Sequence, residues 1–352
     1  MPEGSRDDPG DVYDAIPKVE LHCHIEGTIR PSTVAELAHK AGRPLPVDDV
    51  TTLYRYGSLN EFLDIFWFVQ ELLTGPEDWE RAAYESIIDA APHGLRYREM
   101  FFTPARHLAA GQDPGDIVSG LSRGIEAAEA GTGVRGMLIC DMDRSFGPKA
   151  GLELVERVGE LRKAGRADRV IGIGLDSTEL GVDPRDYAEA YALAARLGLH
   201  RTAHAGEDTG PDNIKMAVEA LGVERIDHGL SILGDPELTA RLADARIPLT
   251  VCPNSNVLIA NKMSRLEEHP FRRMREAGLL ATLNTDDPAM TDLDLGREYR
   301  SVARALDMDL TQMAGVALDG VEATWLDESD KRELRVRFEE EIQAIRSTAG
   351  GS

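Results

Sequence analysis

Cysteine is scarce in this sequence of 352 residues. Cys23, Cys140 and Cys252 are its three cysteines, and they lie far apart without a paired spacing. A disulfide framework or a thiolate zinc site needs cysteines at regular spacings, so both are disfavoured. Three isolated thiols fit a protein of the reducing cytoplasm, which is the location that we expect.

Positive charge and long apolar runs are also lacking. Lys and Arg total 39 against 62 Asp and Glu, a formal net charge of −23, which opposes binding to nucleic acid or to an acidic membrane surface. No apolar run approaches membrane-spanning length, and the polar first residues do not resemble a secretion signal. We expect residues 1–14 to form a flexible tail. A soluble enzyme acting on a small molecule is the favoured class, and whether it forms a homodimer is left open.

The order of strand-like and helix-like segments predicts the fold. Strand-like apolar runs occupy Lys18–His22, Leu95–Phe102, Val134–Cys140, Val170–Leu175, His200–His204, Arg225–His228, Pro248–Cys252 and Leu280–Asn284, and amphipathic stretches separate most of them. Eight such alternations in one chain are typical of a (β/α)₈ TIM barrel. The alternative, a doubly wound open sheet, lacks the Gly-x-Gly-x-x-Gly turn after an early strand. We therefore expect one domain over residues 1–352.

Two helical additions to this barrel are expected. Residues 25–94 form a long insertion after the first strand, and residues 296–346 form C-terminal helices. The insertion carries an apolar stripe made by Leu59, Phe62, Leu63 and Phe66. This stripe either packs on the barrel as core or covers its mouth as a lid, since long insertions often cover active sites.

Titratable side chains collect where the predicted strands end. His22 and His24 are two residues apart, so on an extended chain both imidazoles point the same way. His204 ends the fifth strand and Asp286 follows the eighth; strand ends meet at one face of a barrel. Three imidazoles and a carboxylate suffice to bind one Zn²⁺ with a water. Each residue alone could be an ordinary polar cap, but their coincidence at one face favours a metal site.

Five segments together resemble the adenosine/adenine deaminase family, the metal-dependent purine aminohydrolases. These are Glu20-Leu21-His22-Cys23-His24, His204-Ala205-Gly206-Glu207, Arg225-Ile226-Asp227-His228-Gly229, Val251-Cys252-Pro253-x-Ser255-Asn256 and Asn284-Thr285-Asp286-Asp287-Pro288. The resemblance runs from about Pro17 to Pro288. It implies one zinc ion bound by His22, His24, His204 and Asp286.

The resemblance also implies hydrolytic deamination at C6 of a purine. Glu207, as a protonated acid, would donate to N1, and His228 with Asp286 would orient the attacking water and take its proton. Asp287 would contact N7, and Leu59, Phe62, Leu63 and Phe66 would pack on the purine. No Cys-x-x-Cys pair of the other zinc deaminase design is present, and no lysine ends the third or fourth strand to bridge two metals.

The substrate is less well determined than the chemistry. Glu26, Asp176 and Ser177 resemble the adenine deaminase branch, and we expect Asp176 to accept a hydrogen bond from N9–H of free adenine. Thr103 and Asn254 depart from that branch, which leaves adenosine, a modified adenine nucleoside or an N6-substituted adenine as alternatives. A metal-dependent amide or phosphoester hydrolase, or a barrel that only binds a ligand, is less favoured because every key position is filled.

Overall fold

The computed structural model describes residues 11–56, 59–259 and 262–349, without the side chains of residues 59, 60 and 349. Eight parallel strands lie in this part of the chain: β1 (Lys18–Glu20), β2 (Leu95–Phe102), β3 (Arg135–Asp143), β4 (Val170–Asp176), β5 (His200–Ala205), β6 (Arg225–His228), β7 (Leu249–Val251) and β8 (Ala281–Leu283). They pair in sequence order within one sheet. The predicted TIM barrel is therefore confirmed.

The seam between β8 and β1 is closed by chain that continues past the two strands. The amide of His24 donates to the carbonyl of Asp286 at 2.9 Å, and the amide of Asp286 donates to the carbonyl of His22 at 3.1 Å. Asn284 adds a side-chain contact, since its Oδ1 accepts from the amide of Leu21 at 2.8 Å. The same backbone that closes the barrel thus carries the histidine pair.

Fifteen α-helices lie in the described residues. They are α1 (Val12–Ala15), α2 (Pro31–Lys40), α3 (Leu59–Leu72), α4 (Pro76–Ala90), α5 (Ala105–Ala109), α6 (Pro114–Thr132), α7 (Gly147–Lys163), α8 (Ala188–Arg196), α9 (Pro211–Met216), α10 (Pro236–Asp244), α11 (Pro253–Leu258), α12 (Phe271–Glu276), α13 (Leu295–Ala305), α14 (Leu310–Ala323) and α15 (Glu328–Ala349). Within the part of the chain that is described, no helix is both long and apolar enough to cross a membrane.

Local sequence explains several of these helix starts. Asp113 caps α6, because its side chain accepts from the amides of Gly115 and Asp116. Pro114 fits the first turn of this helix, since an amide hydrogen there would have no partner within the helix. In the insertion, α2, α3 and α4 lie between β1 and β2. Residues 1–10 of the expected tail lie outside the described part of the chain, but residues 12–15 form α1, whose start is capped by the Asp11 side chain. The prediction of a tail therefore has to be corrected for residues 12–14.

Buried ion pairs fill polar positions inside the barrel. Glu99 in β2 accepts from Arg225 in β6 at 2.6 Å, and both side chains are fully buried. The guanidinium of Arg225 also lies 3.8 Å from the ring centre of Trp325, whose amide donates to Glu99 at 2.8 Å. Buried charges are tolerated when they are paired in this way. This pair ties two strands to the segment that follows α14.

Candidate active site

The end of β1 places two imidazoles in the barrel mouth. β1 stops at Glu20, two residues earlier than predicted, but Cys23 and His24 continue as single bridges to Asp286 and Phe101. The His22 and His24 rings therefore converge, with centroids 5.4 Å apart. Cys23 points away, and its sulfur accepts from Arg98 at 3.0 Å, as the alternation of side chains predicts.

Histidine nitrogens and one carboxylate converge at the centre of the mouth. Asp286 Oδ1 lies 3.3 Å from His22 Nε2 and 3.4 Å from His24 Nε2, and His24 Nε2 lies 3.3 Å from His204 Nε2. His228 belongs to the same cluster, since ligand atoms of His22, His204, His228 and Asp286 all lie within 4.8 Å of one another.

This cluster fits a divalent metal ion. His22 Nε2 is buried without a hydrogen-bond partner among the described residues, which is costly for a polar atom unless a ligand completes it. Burial lowers the pKa of His24 to about 4 and also lowers that of His204. Neutral imidazole is the form that binds metals, so His24 and His204 favour that form. Burial alone would lower the pKa of His22 as well, but the neighbouring Asp286 carboxylate raises it.

A surrounding layer of polar groups fixes the orientation of these ligand atoms. Thr250 lies against His22 Nδ1, with its Oγ1 at 3.1 Å, and Ser255 donates to Asp286 Oδ2 at 2.6 Å. Asp227 lies 3.8 Å from His204 Nδ1 and accepts hydrogen bonds from Thr202 and Thr250. Such outer partners set the ring orientation and the basicity of metal-binding histidines.

The backbone is strained at three residues that lie at or after the ends of strands in the barrel mouth. Ser177, His228 and Asp286 have φ values of 66°, 63° and 66°, in the left-handed region that L-residues rarely adopt. All three follow or end strands at the mouth. Strained residues of this kind persist where surrounding contacts fix them, and they are concentrated at functional sites.

Glu207 and His228 face each other beside the cluster. His228 Nε2 lies 3.4 Å from Glu207 Oε2 and 4.0 Å from Asp286 Oδ2, while Asn256 donates to Glu207 Oε1 at 2.9 Å. Burial, with the neighbouring carboxylates, raises the pKa of Glu207 well above its usual value, and burial lowers that of His228 to about 3. These shifts favour a protonated acid at Glu207 and a neutral base at His228.

A second group of carboxyls lines the side of the mouth next to β2 and β4. Thr103 joins two of them, because its amide donates to Glu26 Oε1 at 2.8 Å and its hydroxyl to Asp176 Oδ2 at 2.6 Å. Burial raises the pKa of Glu26 to about 7 and that of Asp176 to about 8. Glu26 Oε2 and Asp287 Oδ1 are buried without hydrogen-bond partners among the described residues, which leaves them available to a polar ligand.

Ser177 and the apolar stripe on α3 were also predicted to belong to the site, and they differ from this group of carboxyls. Ser177 is exposed, its hydroxyl lies 3.5 Å from Asp176 Oδ1, and its carbonyl accepts from Arg144 at 3.0 Å. In α3, Phe62 is buried and stacks on Phe66 with ring centroids 5.8 Å apart, while Leu63 and Phe66 are half-buried. The side chain of Leu59 lies outside the described residues, and the core and lid interpretations of this stripe both stay open.

Comparison with known proteins decides the family. A family model described as adenosine deaminase matches residues 17–341, which is most of the chain. The chain belongs to the adenosine deaminase family. It is therefore a hydrolytic deaminase, as the sequence motifs predicted.

Individual members of the adenosine deaminase family are similar over nearly the whole chain. An adenine deaminase of Streptomyces coelicolor is 38% identical over 344 residues, 97% of this chain and 99% of the relative. The aminodeoxyfutalosine deaminase of the same organism is 36% identical over 91% of this chain and 82% of its own. A zinc-bound amidohydrolase structure from Burkholderia ambifaria is 30% identical with a TM-score of 0.89, covering 100% of this chain and 98% of the other.

Some residues of this adenosine deaminase family site were missed by sequence reasoning. His269 was assigned no role, yet its Nε2 lies 3.3 Å from Asn256 Oδ1 and so extends the network behind Glu207. Arg144 and Glu179 hydrogen-bond to backbone groups at the ends of the neighbouring strands β4 and β5. A backbone partner leaves no pattern in the sequence, so Arg144 carried no signal; Glu179 was visible only as the last residue of the segment Gly174–Glu179.

Asn254, which departs from the adenine deaminase branch, and Arg106, in the segment that follows Thr103, have contacts away from the cluster. Asn254 donates to Glu298 at 2.7 Å and to Ser301 at 2.8 Å, so it joins α11 to α13. Arg106 lies over the ring of Trp67, with 4.8 Å between the guanidinium carbon and the ring centre. Asn254 is thus explained by helix packing, whereas Arg106 stays at the rim.

Proposed function

We propose that this chain hydrolyses the 6-amino group of a purine, with adenine as the preferred substrate, giving the 6-oxopurine and ammonia. The observation that carries the proposal is the pairing of Glu207 with His228 beside the unpartnered Nε2 of His22. An acid, a base and a metal-binding cluster within a few ångströms are what addition of water to an aromatic carbon requires.

We infer one zinc ion per chain, bound by His22, His24, His204 and Asp286. The convergence of their ligand atoms and the buried, unpartnered His22 Nε2 support this set. When bound, zinc lowers the pKa of a water molecule to about 7 and so makes hydroxide available at neutral pH. His228, 4.0 Å from Asp286, is left to handle protons rather than to bind the ion.

The protein groups then have separate tasks in the reaction. Glu207 donates its proton to N1, which withdraws electrons from C6, and Asp287 contacts N7. His228 takes one proton from the attacking water as the C–O bond forms at C6. That proton passes to the amino group, and the C6–N bond breaks with its electron pair leaving on ammonia. The C6 hydroxyl then becomes the C6=O of the product, and its proton returns to the Glu207 carboxylate. In the lid interpretation of α3, Phe62, Leu63 and Phe66 exclude water from the mouth, which strengthens these interactions.

Free adenine is preferred because of the carboxyls near N9. Thr103 holds Glu26 and Asp176 together, and a ribose at N9 would have to displace this buried pair. Asp176 Oδ1, whose contact with Ser177 Oγ is a long 3.5 Å, is free to accept from N9–H.

A substrate panel tests the proposal through the ultraviolet shift that accompanies conversion of an aminopurine to an oxopurine. The panel contains adenine, adenosine, 2′-deoxyadenosine, N6-substituted purines and aminodeoxyfutalosine. Asp176→Ala should lower turnover of adenine more than that of nucleosides, with Ser177→Ala as the neighbouring control. Equal losses on both classes would remove Asp176 from substrate choice, and no turnover by the zinc-loaded protein would refute the deaminase proposal.

A second candidate substrate is aminodeoxyfutalosine, the compound in the name of one relative. Arg106 on Trp67 favours it, because this cation lies three residues beyond Thr103 at the rim and could contact a substituent. Turnover of aminodeoxyfutalosine above that of adenine would select this candidate.

A cytoplasmic enzyme that binds neither nucleic acid nor membrane completes the proposal. Its support is the net charge of −23 and the three cysteines, all free and buried.

A further inference from the structure

We propose that Glu179 and Arg144 are positioning residues that fix the loop after β5 and thereby hold the Glu207 carboxyl in place. The inference rests on the proposed function, because it assigns Glu207 the role of ring acid. Neither side chain touches the ligand atoms of the histidine–carboxylate cluster. Arg144 contacts backbone carbonyls, and Glu179 contacts backbone amides and two side chains.

Glu179 gathers five hydrogen-bond donors from one loop. Its carboxylate accepts from three successive amides, Gly206 at 2.8 Å, Glu207 at 2.8 Å and Asp208 at 3.0 Å. The Thr209 hydroxyl at 2.6 Å and the Asn213 amide at 3.1 Å complete the set. Successive amides that point into one concavity form an anion site, and here a side chain of the same protein fills it.

The loop reaches this conformation through Gly206. Its φ of 75° lies in the left-handed region, and a Cβ there would come within 2.5 Å of Ile214. Glu179 is 3% exposed, and its hydrogen bonds lower the pKa of its carboxyl although burial alone would raise it. A buried anion with five donors resists displacement, because each donor would lose its partner if the loop moved.

Arg144 contacts backbone carbonyls at the ends of β4 and β5, whereas Glu179 contacts backbone amides. One guanidinium nitrogen donates to the carbonyls of Leu175, Asp176 and Ser177 at 3.0–3.1 Å, and the other donates to the carbonyl of His204 at 2.5 Å. The arginine is 5% exposed. Two charged side chains thus join the end of β4 to the end of β5. Arg144 does so through backbone carbonyls, and Glu179 through backbone amides.

Glu207 depends on this backbone support because its own side chain has few contacts. Among the described residues, its side chain contacts Asn256 and His228 and is still 20% exposed. The direction of the carboxyl is therefore set mainly by where the backbone of residue 207 lies. A shift of about 1 Å in a catalytic group can lower the rate by about 100-fold.

The first test compares Glu179→Gln with Glu189→Gln, the same change at an exposed position of α8. Adenine turnover, KM, zinc content and thermal midpoint are measured for both. We expect Glu179→Gln to lower kcat by about 10- to 100-fold, with zinc content unchanged and KM within about threefold. A kcat within twofold of Glu189→Gln would overturn the inference.

A double-mutant cycle separates positioning from general weakening of the fold. Glu179→Gln is combined with Glu207→Asp, which keeps an acid but retracts it. If Glu179 acts through Glu207, the combined loss in kcat is at least fivefold smaller than the product of the single losses. Losses that multiply would show that Glu179 affects the fold rather than the acid.

Two further variants keep the test decisive if Glu179→Gln does not fold. Glu179→Asp retains the charge but withdraws it from the amides, and Arg144→Lys retains the cation but loses the planar fork. Both should lower kcat at least tenfold while the protein stays folded by circular dichroism, and wild-type kcat in both would overturn the inference. Failure of the wild-type enzyme on every aminopurine would instead refute the proposed function, so the two failures are distinguishable.

Discussion

At the scale of single residues, Gly27 permits a close approach of the backbone to Asp287. A Cβ at this position would lie 1.9 Å from Asp287 Oδ1 and 2.6 Å from its Cβ, so no larger residue fits unless Asp287 moves. Asp287 is the group that we assign to N7 of the purine.

Gly27→Ala should therefore raise KM for the purine about tenfold or more, the loss expected for one hydrogen bond to an ionisable group, worth about 1.5–3 kcal/mol. Steady-state kinetics on the preferred substrate measures it. Gly131→Ala, at a helical glycine with nothing within 4 Å, is the control and should leave KM unchanged. An unchanged KM in Gly27→Ala would mean that Asp287 does not contact the substrate.

Among secondary-structure elements, Glu298 makes the contact between α11 and α13 sensitive to pH. The side chain is fully buried and accepts from the amide group of Asn254 at 2.7 Å. Burial raises the pKa of its carboxyl to about 8. Its protonated form is thus favoured in the folded protein, whereas in the unfolded chain it loses its proton near pH 4.5.

The free energy of unfolding should therefore fall between about pH 4.5 and pH 8, because the folded state keeps a proton that the unfolded state has lost. The stabilisation by the protonated Glu298 carboxyl is complete below about pH 4.5 and lost above about pH 8. Between these values the free energy of unfolding falls by at most about 1.4 kcal/mol per pH unit. Urea unfolding at several pH values should show a shallower fall for Glu298→Gln than for wild type, with the remainder due to Glu26 and Asp176, whose pKa values are also raised. The exposed Glu189→Gln should keep the full fall. Parallel curves for wild type and Glu298→Gln would contradict the assignment.

Elements also differ in how far sequence could predict them. The eight strands and the His22, His24, His204 and Asp286 set follow from side-chain alternation and from the rule that parallel strand ends share a face. Strand β1 is shorter than expected because its end joins the barrel seam through isolated bridges, which no local pattern encodes. Arg144 could not be predicted, since its partners are carbonyls that every residue carries.

For the whole molecule, the buried Glu99–Arg225 pair is expected to be a major determinant of stability. Removing one partner leaves a buried charge uncompensated, which costs about 3–5 kcal/mol. Glu99→Gln should lower the free energy of unfolding by roughly that amount, measured by denaturant titration. Glu219→Gln, which breaks a surface pair with Arg241 whose side chains are 46–47% exposed, should cost less than about 1 kcal/mol. Equal effects would show that burial does not govern these pairs.

Metal removal should also act on the whole barrel. The inferred ligands come from the ends of β1, β5 and β8, so an ion would cross-link strands that are distant in sequence. Treatment with a chelator should abolish deamination and lower the thermal midpoint, because an ion that binds only the folded state stabilises it. Added zinc should restore both. A chelated protein with full activity would contradict the inferred zinc site.

The closed seam of the barrel has a consequence for synthesis of the chain. Leu21 and Asn284, which meet there, are 263 positions apart, and chain segments leave the ribosome in order. No partly made chain that stops before residue 284 can bring His22 and His24 to Asp286, however well its early strands have formed. Assembly of the chemical centre and closure of the barrel between β8 and β1 therefore occur together, and a nascent chain completes its set of reactive groups only after residue 286 has been made.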